Sequence, residues 1–196
     1  HDPANQGSPD LRPEKAISYE AGADWHPSPL FRVSVTVFER RETDGIDYVR
    51  SSPAAIWRAT NFQDLQFTGV ESDLRLRLPR NQHLEFSWTG LRGAQTVLGA
   101  RQSKYVFNYP VNSGLIAWQG ELGGGFLART RIGIVERFNR DPYAVWDFYA
   151  AFSRTRFRPF LQFTNLTATR YEEIPGVRMQ GRAIVGGVEL VAFGGR

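Results

Sequence analysis

Phe31, Val33, Val35 and Val37 alternate with Arg32, Ser34 and Thr36. Successive side chains of a strand point to opposite sides, so this spacing makes one face apolar and the other polar. The pattern returns along most of the chain. Val70, Leu74, Leu76 and Leu78 oppose Glu71, Asp73, Arg75 and Arg77; Leu84, Phe86 and Trp88 oppose Glu85, Ser87 and Thr89. Further on, Ile116, Trp118 and Leu122 oppose Gln119 and Glu121, and Ala128, Thr130, Ile132 and Ile134 oppose Arg129 and Arg131. Ala144, Trp146, Phe148, Ala150 and Phe152 alternate around Asp147. A helix needs a period of 3.6, which these runs lack, so the expected class is all-β.

Turn chemistry divides the chain into about nine strands. The first, 15–26, is closed by His26-Pro27-Ser28-Pro29, where prolines end the pairing. The second begins at Phe31. A connection with Thr43-Asp44-Gly45 and Ser51-Ser52-Pro53 leads to a long third strand over about 58–78, and Pro79-Arg80-Asn81-Gln82 turns the chain into the fourth. A long connection over 91–112 precedes strand five, Gly123-Gly124-Gly125 separates it from strand six, and Asn139-Arg140-Asp141-Pro142 leads to strand seven. Ser153-Arg154-Thr155 leads to strand eight, 156–164, and strand nine is 183–193. Residues 1–14, with three prolines, read as a loop. Most of these strands have the nine to twelve residues that a tilted strand needs to cross a bilayer, where soluble strands average five or six. Short turns near 26, 80, 124 and 154 also alternate with long connections after 40, 90 and 165, as in porin-type barrels, with one exception, the short Asn139 to Pro142 connection on the side expected to carry the long loops.

Composition restricts the function. No apolar run approaches the eighteen or so residues of a spanning helix, and mean hydropathy is negative, so a membrane role requires strands. With no cysteine, disulfide frameworks and thiolate metal sites are excluded. The net charge of +4 rests on arginine, Lys15 and Lys104 being the only lysines, and no basic cluster points to nucleic acid. His26 and His83 lie in or beside turns and His1 is terminal, so neither a zinc set nor a nucleophilic triad is expected. No catalytic residue, metal ligand or cofactor site is assigned. Glu172-Glu173 reads as loop charge, because adjacent side chains diverge. The ligand candidates are loop residues that combine aromatic faces with polar or cationic tips: Tyr48, Arg50, Trp57 and Arg58 in one loop, and Tyr105, Phe107 and Tyr109 in another.

Three motifs add a family resemblance. Near the C-terminus, Asn165-Leu166, Tyr171, Pro175-Gly176, Gly181-Arg182 and Phe193 resemble the closing segment of TonB-dependent outer-membrane receptors. Ser8-Pro9-Asp10-Leu11-Arg12-Pro13-Glu14-Lys15 with 18–22, and Asn61 with Phe67-Thr68-Gly69-Val70-Glu71, are similar to segments leading into, or within, late strands of the same barrels. The resemblance implies that 1–196 is the C-terminal part of a 22-stranded transmembrane β-barrel, lacking its plug domain and earlier strands. It further implies a location in the outer membrane of a Gram-negative type of cell, and active import of a scarce nutrient such as an iron siderophore or cobalamin, other members taking haem or oligosaccharides. The implied partners are a TonB-type energy-transducing protein reached through the plug, a chelate or oligosaccharide substrate, and outer-membrane lipid. Enzymatic activity is not expected. Two alternatives remain at this point: a passive outer-membrane barrel of eight to twelve strands, pore or enzyme, and a soluble extracellular β-sandwich.

As a segment with nine strands, the chain is expected to form an open sheet whose first and last strands run the same way and lie apart, since antiparallel closure needs an even number.

Overall fold

The computed structural model describes residues 5–61, 65–95, 101–105, 108–174 and 176–191, and every regular element among them is a strand. A two-residue strand, β1 (Asn5–Gln6), precedes the long pair β2 (Lys15–Ser28) and β3 (Phe31–Thr43). The short strands β4 (Ile46–Arg50) and β5 (Trp57–Asn61) follow, then the long β6 (Leu65–Leu78) and β7 (Gln82–Gln95). After β8 (Gln102–Ser103) come β9 (Pro110–Gly123), β10 (Phe126–Arg137), β11 (Tyr143–Phe152) and β12 (Phe157–Thr164). A small hairpin, β13 (Glu172–Ile174) and β14 (Val177–Arg178), leads to β15 (Ala183–Leu190).

Nine strands form one sheet in the order β2-β3-β6-β7-β9-β10-β11-β12-β15. Each pair is antiparallel, so the wall is a continuous meander. The turns joining β2 to β3, β6 to β7, β9 to β10 and β11 to β12 share one rim, and the other four connections share the opposite rim. Gly123, Gly124 and Gly125 have φ of 90°, 63° and 92°, a left-handed run that a Cβ would strain. The strands β2 and β15 lie at opposite edges and run in the same direction, as expected of an odd-numbered open sheet. At 14 residues, β6 is roughly 47 Å long and, tilted by about 45°, rises roughly 33 Å, enough to cross a 25 Å apolar band.

The register separates the two faces across the sheet. Trp25, Val33, Leu74, Phe86, Ile116, Ile132 and Trp146 are successive cross-strand partners, an unbroken apolar row over seven strands. One residue further along, on the other face, Arg32, Arg75, Glu85, Ala117, Arg131 and Asp147 form a mostly charged row. Arg75 pairs with Glu85 at 3.3 Å and Arg131 with Asp147 at 2.8 Å. The apolar face is uncovered: Phe86, Ile116, Ile132 and Trp146 are 40%, 47%, 38% and 41% exposed. A soluble domain of this size would bury roughly 70% of its unfolded surface around one core. Here the buried apolar side chains among the described residues are Val49, Ala59, Leu65 and Ala128. The chain is one layer thick, which is not a sandwich.

The structure corrects the sequence reading in two places. The stretch 58–78 is not one strand: β6 lies in the wall, whereas β5 belongs to a separate four-stranded sheet ordered β1-β5-β4-β8. The segment before residue 15 is not wholly loop, because β1 pairs in parallel with β5 through Asn5 with Trp57 and Gln6 with Arg58.

Candidate functional site

The small sheet stands on the rim with the longer connections, built from the segment before β2 and from those between β3 and β6 and between β7 and β9. Its centre is Asp47, only 2% exposed. The Asp47 carboxylate accepts the backbone N–H of Tyr48 at 2.5 Å, the hydroxyl of Ser103 at 2.5 Å and the N–H of Tyr105 at 3.0 Å. Tyr48 also accepts the Lys104 N–H on its carbonyl at 3.0 Å. One buried carboxylate thus joins two loops that are more than fifty residues apart.

Tyr48, Arg50 and Trp57 of the first loop are brought together with Tyr105 of the second, through Lys104. The Arg50 guanidinium lies 4.3 Å from the Trp57 ring centroid, and its Nε donates to Gln102 Oε1 at 2.8 Å. Lys104 Nζ stands 5.6 Å from Tyr48, 5.9 Å from Trp57 and 5.4 Å from Tyr105, and donates to Asn5 Oδ1 at 3.1 Å. These cation–π contacts occupy the aromatic faces with the chain's own cations, which orders the rings. Arg58 is not part of the cluster: it pairs across from Val49, so its side chain is on the opposite face from those of its neighbour Trp57 and of Tyr48. Phe107 lies outside the described residues.

Tyr109 is also elsewhere. It packs edge-on to Phe67 at 5.3 Å and stacks with Phe138 at 5.4 Å. Its hydroxyl hangs over Gly93, where a Cβ would come within 2.5 Å, and burial raises its pKa above that of an ordinary tyrosine. Phe38 covers Gly69 in the same way. Phe38, Gly69, Leu91, Gly93, Tyr109 and Phe138 help line a recess of about 830 Å³.

The motif at Asn165 has a structural cause. Asn165 is 3% exposed, with φ of 51°, a left-handed conformation that asparagine tolerates better than most residues. Its Oδ1 accepts from Thr169 N at 2.9 Å and Thr167 Oγ1 at 3.1 Å, while Nδ2 donates to the carbonyls of Thr169 at 2.9 Å and Gln180 at 3.3 Å. The Asn165 N–H donates to Asp147 Oδ1 at 2.9 Å, and Asp147 also holds Arg131. Arg182 closes the corner by donating to the Leu166 carbonyl at 2.7 Å. The corner therefore fixes where the last connection leaves β12 and returns to β15. Tyr171, farther along that connection, stacks on Tyr143 at 4.8 Å. Its pKa is raised by burial first, then by the negative charge of Glu173. Glu172 and Glu173 do not form an acid–base pair: Glu172 faces Arg140 at 3.6 Å and accepts the Gly176 N–H at 2.9 Å. Among the described residues, no group of three or more metal-ligating side chains is assembled.

A one-layer antiparallel sheet, apolar on one face and charged on the other, with tight turns on one rim and folded connections on the other, is the wall of a β-barrel. Residues 2–169 match the family described as TonB dependent receptor-like, beta-barrel, and the chain belongs to it. Solved structures agree in fold. A structure described as the copper transporter OprC superposes with a TM-score of 0.72 at 17% identity, over 93% of this chain and 33% of that one. The iron transporter FrpB from Neisseria meningitidis (F5-1 variant) gives a TM-score of 0.71 at 14% identity, over 94% and 32%. The ferric yersiniabactin uptake receptor FyuA from Yersinia pestis gives 0.65 at 18% identity, over 90% and 28%. The chain thus spans about a third of the length of the solved structures it matches. No curated protein matches the sequence.

Proposed function

We propose that the chain is the C-terminal part of the barrel of an outer-membrane receptor for energy-dependent import of a scarce metal chelate. One observation carries this reading: the apolar row on the exposed face, backed by a charged row, in a sheet whose family is that of TonB-dependent receptors. In this reading the apolar face meets lipid and the charged face lines a lumen filled by a plug domain. The sheet edges at β2 and β15 are completed by neighbouring strands of a 22-stranded wall, since an open edge left bare is an aggregation hazard. A TonB-type protein drives transport through the plug. The open sheet with parallel-running edges counts against a small barrel complete in itself, and the scarcity of buried apolar side chains among the described residues counts against a soluble sandwich.

The substrate class follows the names of the related structures, which are transporters or receptors for copper, iron and ferric yersiniabactin. The test is uptake by cells that express the full-length gene under metal starvation, with the protein located by membrane fractionation. Recovery from the outer membrane, with accumulation of labelled ferric chelate or copper that stops on removing the TonB-type partner, is expected. Uptake unaffected by that removal, or recovery in a soluble fraction, would refute the reading.

A further inference from the structure

The rim with the folded connections carries a second recess, of about 450 Å³, where the β10–β11 turn faces the segment before β15. Four arginines line it, Arg137, Arg140, Arg170 and Arg178, against two carboxylates, Asp141 and Glu172, so the lining carries a formal charge of 4 − 2 = +2. Tyr143 and Tyr171, stacked at 4.8 Å, supply an aromatic wall. Two features mark the guanidinium groups as incompletely used within the chain. Arg137 donates one NH1 bond to the Asn108 carbonyl at 2.7 Å, but its Nε is buried without a hydrogen-bond partner. Arg140 meets Glu172 only loosely, at 3.6 Å, with both side chains 40% exposed, while Glu172 is also engaged by the Gly176 N–H.

The register gives the direction from which the recess is reached. Tyr143 continues the row Thr36, Glu71, Thr89, Ser113 and Val135, which is on the polar face. A lipid headgroup would approach from the apolar face, and a solute would approach from the polar one.

We propose that this recess binds a multiply charged, oxygen-rich anionic solute. Guanidinium forks match carboxylate and phosphate oxygens in bidentate geometry, and a tyrosine wall accommodates a flat part of the same molecule. Glu172 limits affinity by competing for Arg140. The proposal rests on the receptor reading for the side from which the solute arrives.

The experiment is calorimetric titration of the purified full-length protein in detergent with citrate and with pyrophosphate, using raffinose as the uncharged control and lipopolysaccharide micelles as the lipid arm. Binding of at least one of the two anions, weakened at least tenfold in the R140Q/R178Q double variant and unchanged in R129Q, is expected. E172Q keeps an acceptor for the Gly176 N–H and should tighten the same anion several-fold. Absence of anion binding, an equal loss in R129Q, weaker binding in E172Q, or an R140Q/R178Q effect confined to lipopolysaccharide would each overturn it. The two readings fail separately: a protein that imports its chelate yet binds neither anion leaves the receptor standing and removes the recess. Anion binding by a protein found outside the outer membrane does the reverse.

Discussion

Replacing Asn165 by alanine removes four side-chain hydrogen bonds at once, two accepted and two donated. A net hydrogen bond contributes about 0.5–1.5 kcal/mol, and a buried group left without a partner costs about 1–3 kcal/mol. Asn165 is 3% exposed, but Thr167 and Thr169 approach solvent, so water will replace part of the set. Alanine at φ 51° adds about 1 kcal/mol of backbone strain. About 3 kcal/mol is therefore expected, concentrated in the connection between β12 and β15 because the wall ladders are untouched. Since 1.4 kcal/mol is tenfold in an equilibrium constant, amide exchange at Thr169 should quicken roughly a hundredfold or more in the full-length protein. Asn165→Gly should recover only the backbone part, about 1 kcal/mol. Protection at Thr169 within threefold of the parent in the alanine variant, or full recovery with glycine, would refute the assignment of the stabilisation to the amide side chain.

Other consequences follow from the same contacts. Gly93→Val should push the Tyr109 ring from its place and cost about 1–3 kcal/mol in denaturant unfolding; Gly133→Ala, where nothing stands within 4 Å, should be within about 0.5 kcal/mol of the parent. Because the Tyr171 pKa is raised, the folded protein favours the neutral phenol. That contribution is fully present below the unfolded value of about 10 and is lost as pH rises through the folded pKa. Phenolate absorbance and exchange of the 165–182 amides should therefore show the loop loosening only in strongly alkaline solution, with Tyr171→Phe removing that step; a Tyr171 titration at or below the ordinary value would contradict it. Asp147→Asn keeps an acceptor for the Asn165 N–H but loses the charge facing Arg131, so a loss of about 1 kcal/mol in denaturant unfolding, smaller in high salt, is expected.

The wall was legible because its signal is local. Val33, Leu74, Phe86 and Ile132 each sit in a period-two run, and tight-turn residues such as Gly123–Gly125 fix neighbouring strands in register. The small sheet was not legible, because its pairings are distant: Asn5 with Trp57 and Val49 with Ser103 leave no periodicity behind. No glycine or proline stands between Trp57 and Leu65, so the sequence does not punctuate the break between β5 and β6. The candidate cluster was half legible. Parity alone separates Arg58 from Trp57, whereas the packing of Tyr109 away from Tyr105 depends on the absence of a side chain at Gly93, on the neighbouring strand β7. The arginine recess is not legible in the sequence because Arg137 and Arg140 lie thirty or more residues from Arg170 and Arg178; the readable signal is that both pairs belong to or border connections on one rim.

The central claim, that the exposed apolar face meets lipid, is tested most directly at two adjacent residues in mid-strand. Val35 is on the apolar face opposite Ala23 and Ser72, and Thr36 is on the polar face opposite Gly22 and Glu71. In the full-length protein refolded into bilayers, Val35→Arg should cost about 2–4 kcal/mol near the midplane, and Thr36→Arg should be nearly neutral. Equal costs at the two positions, or a larger cost at Thr36, would contradict the account.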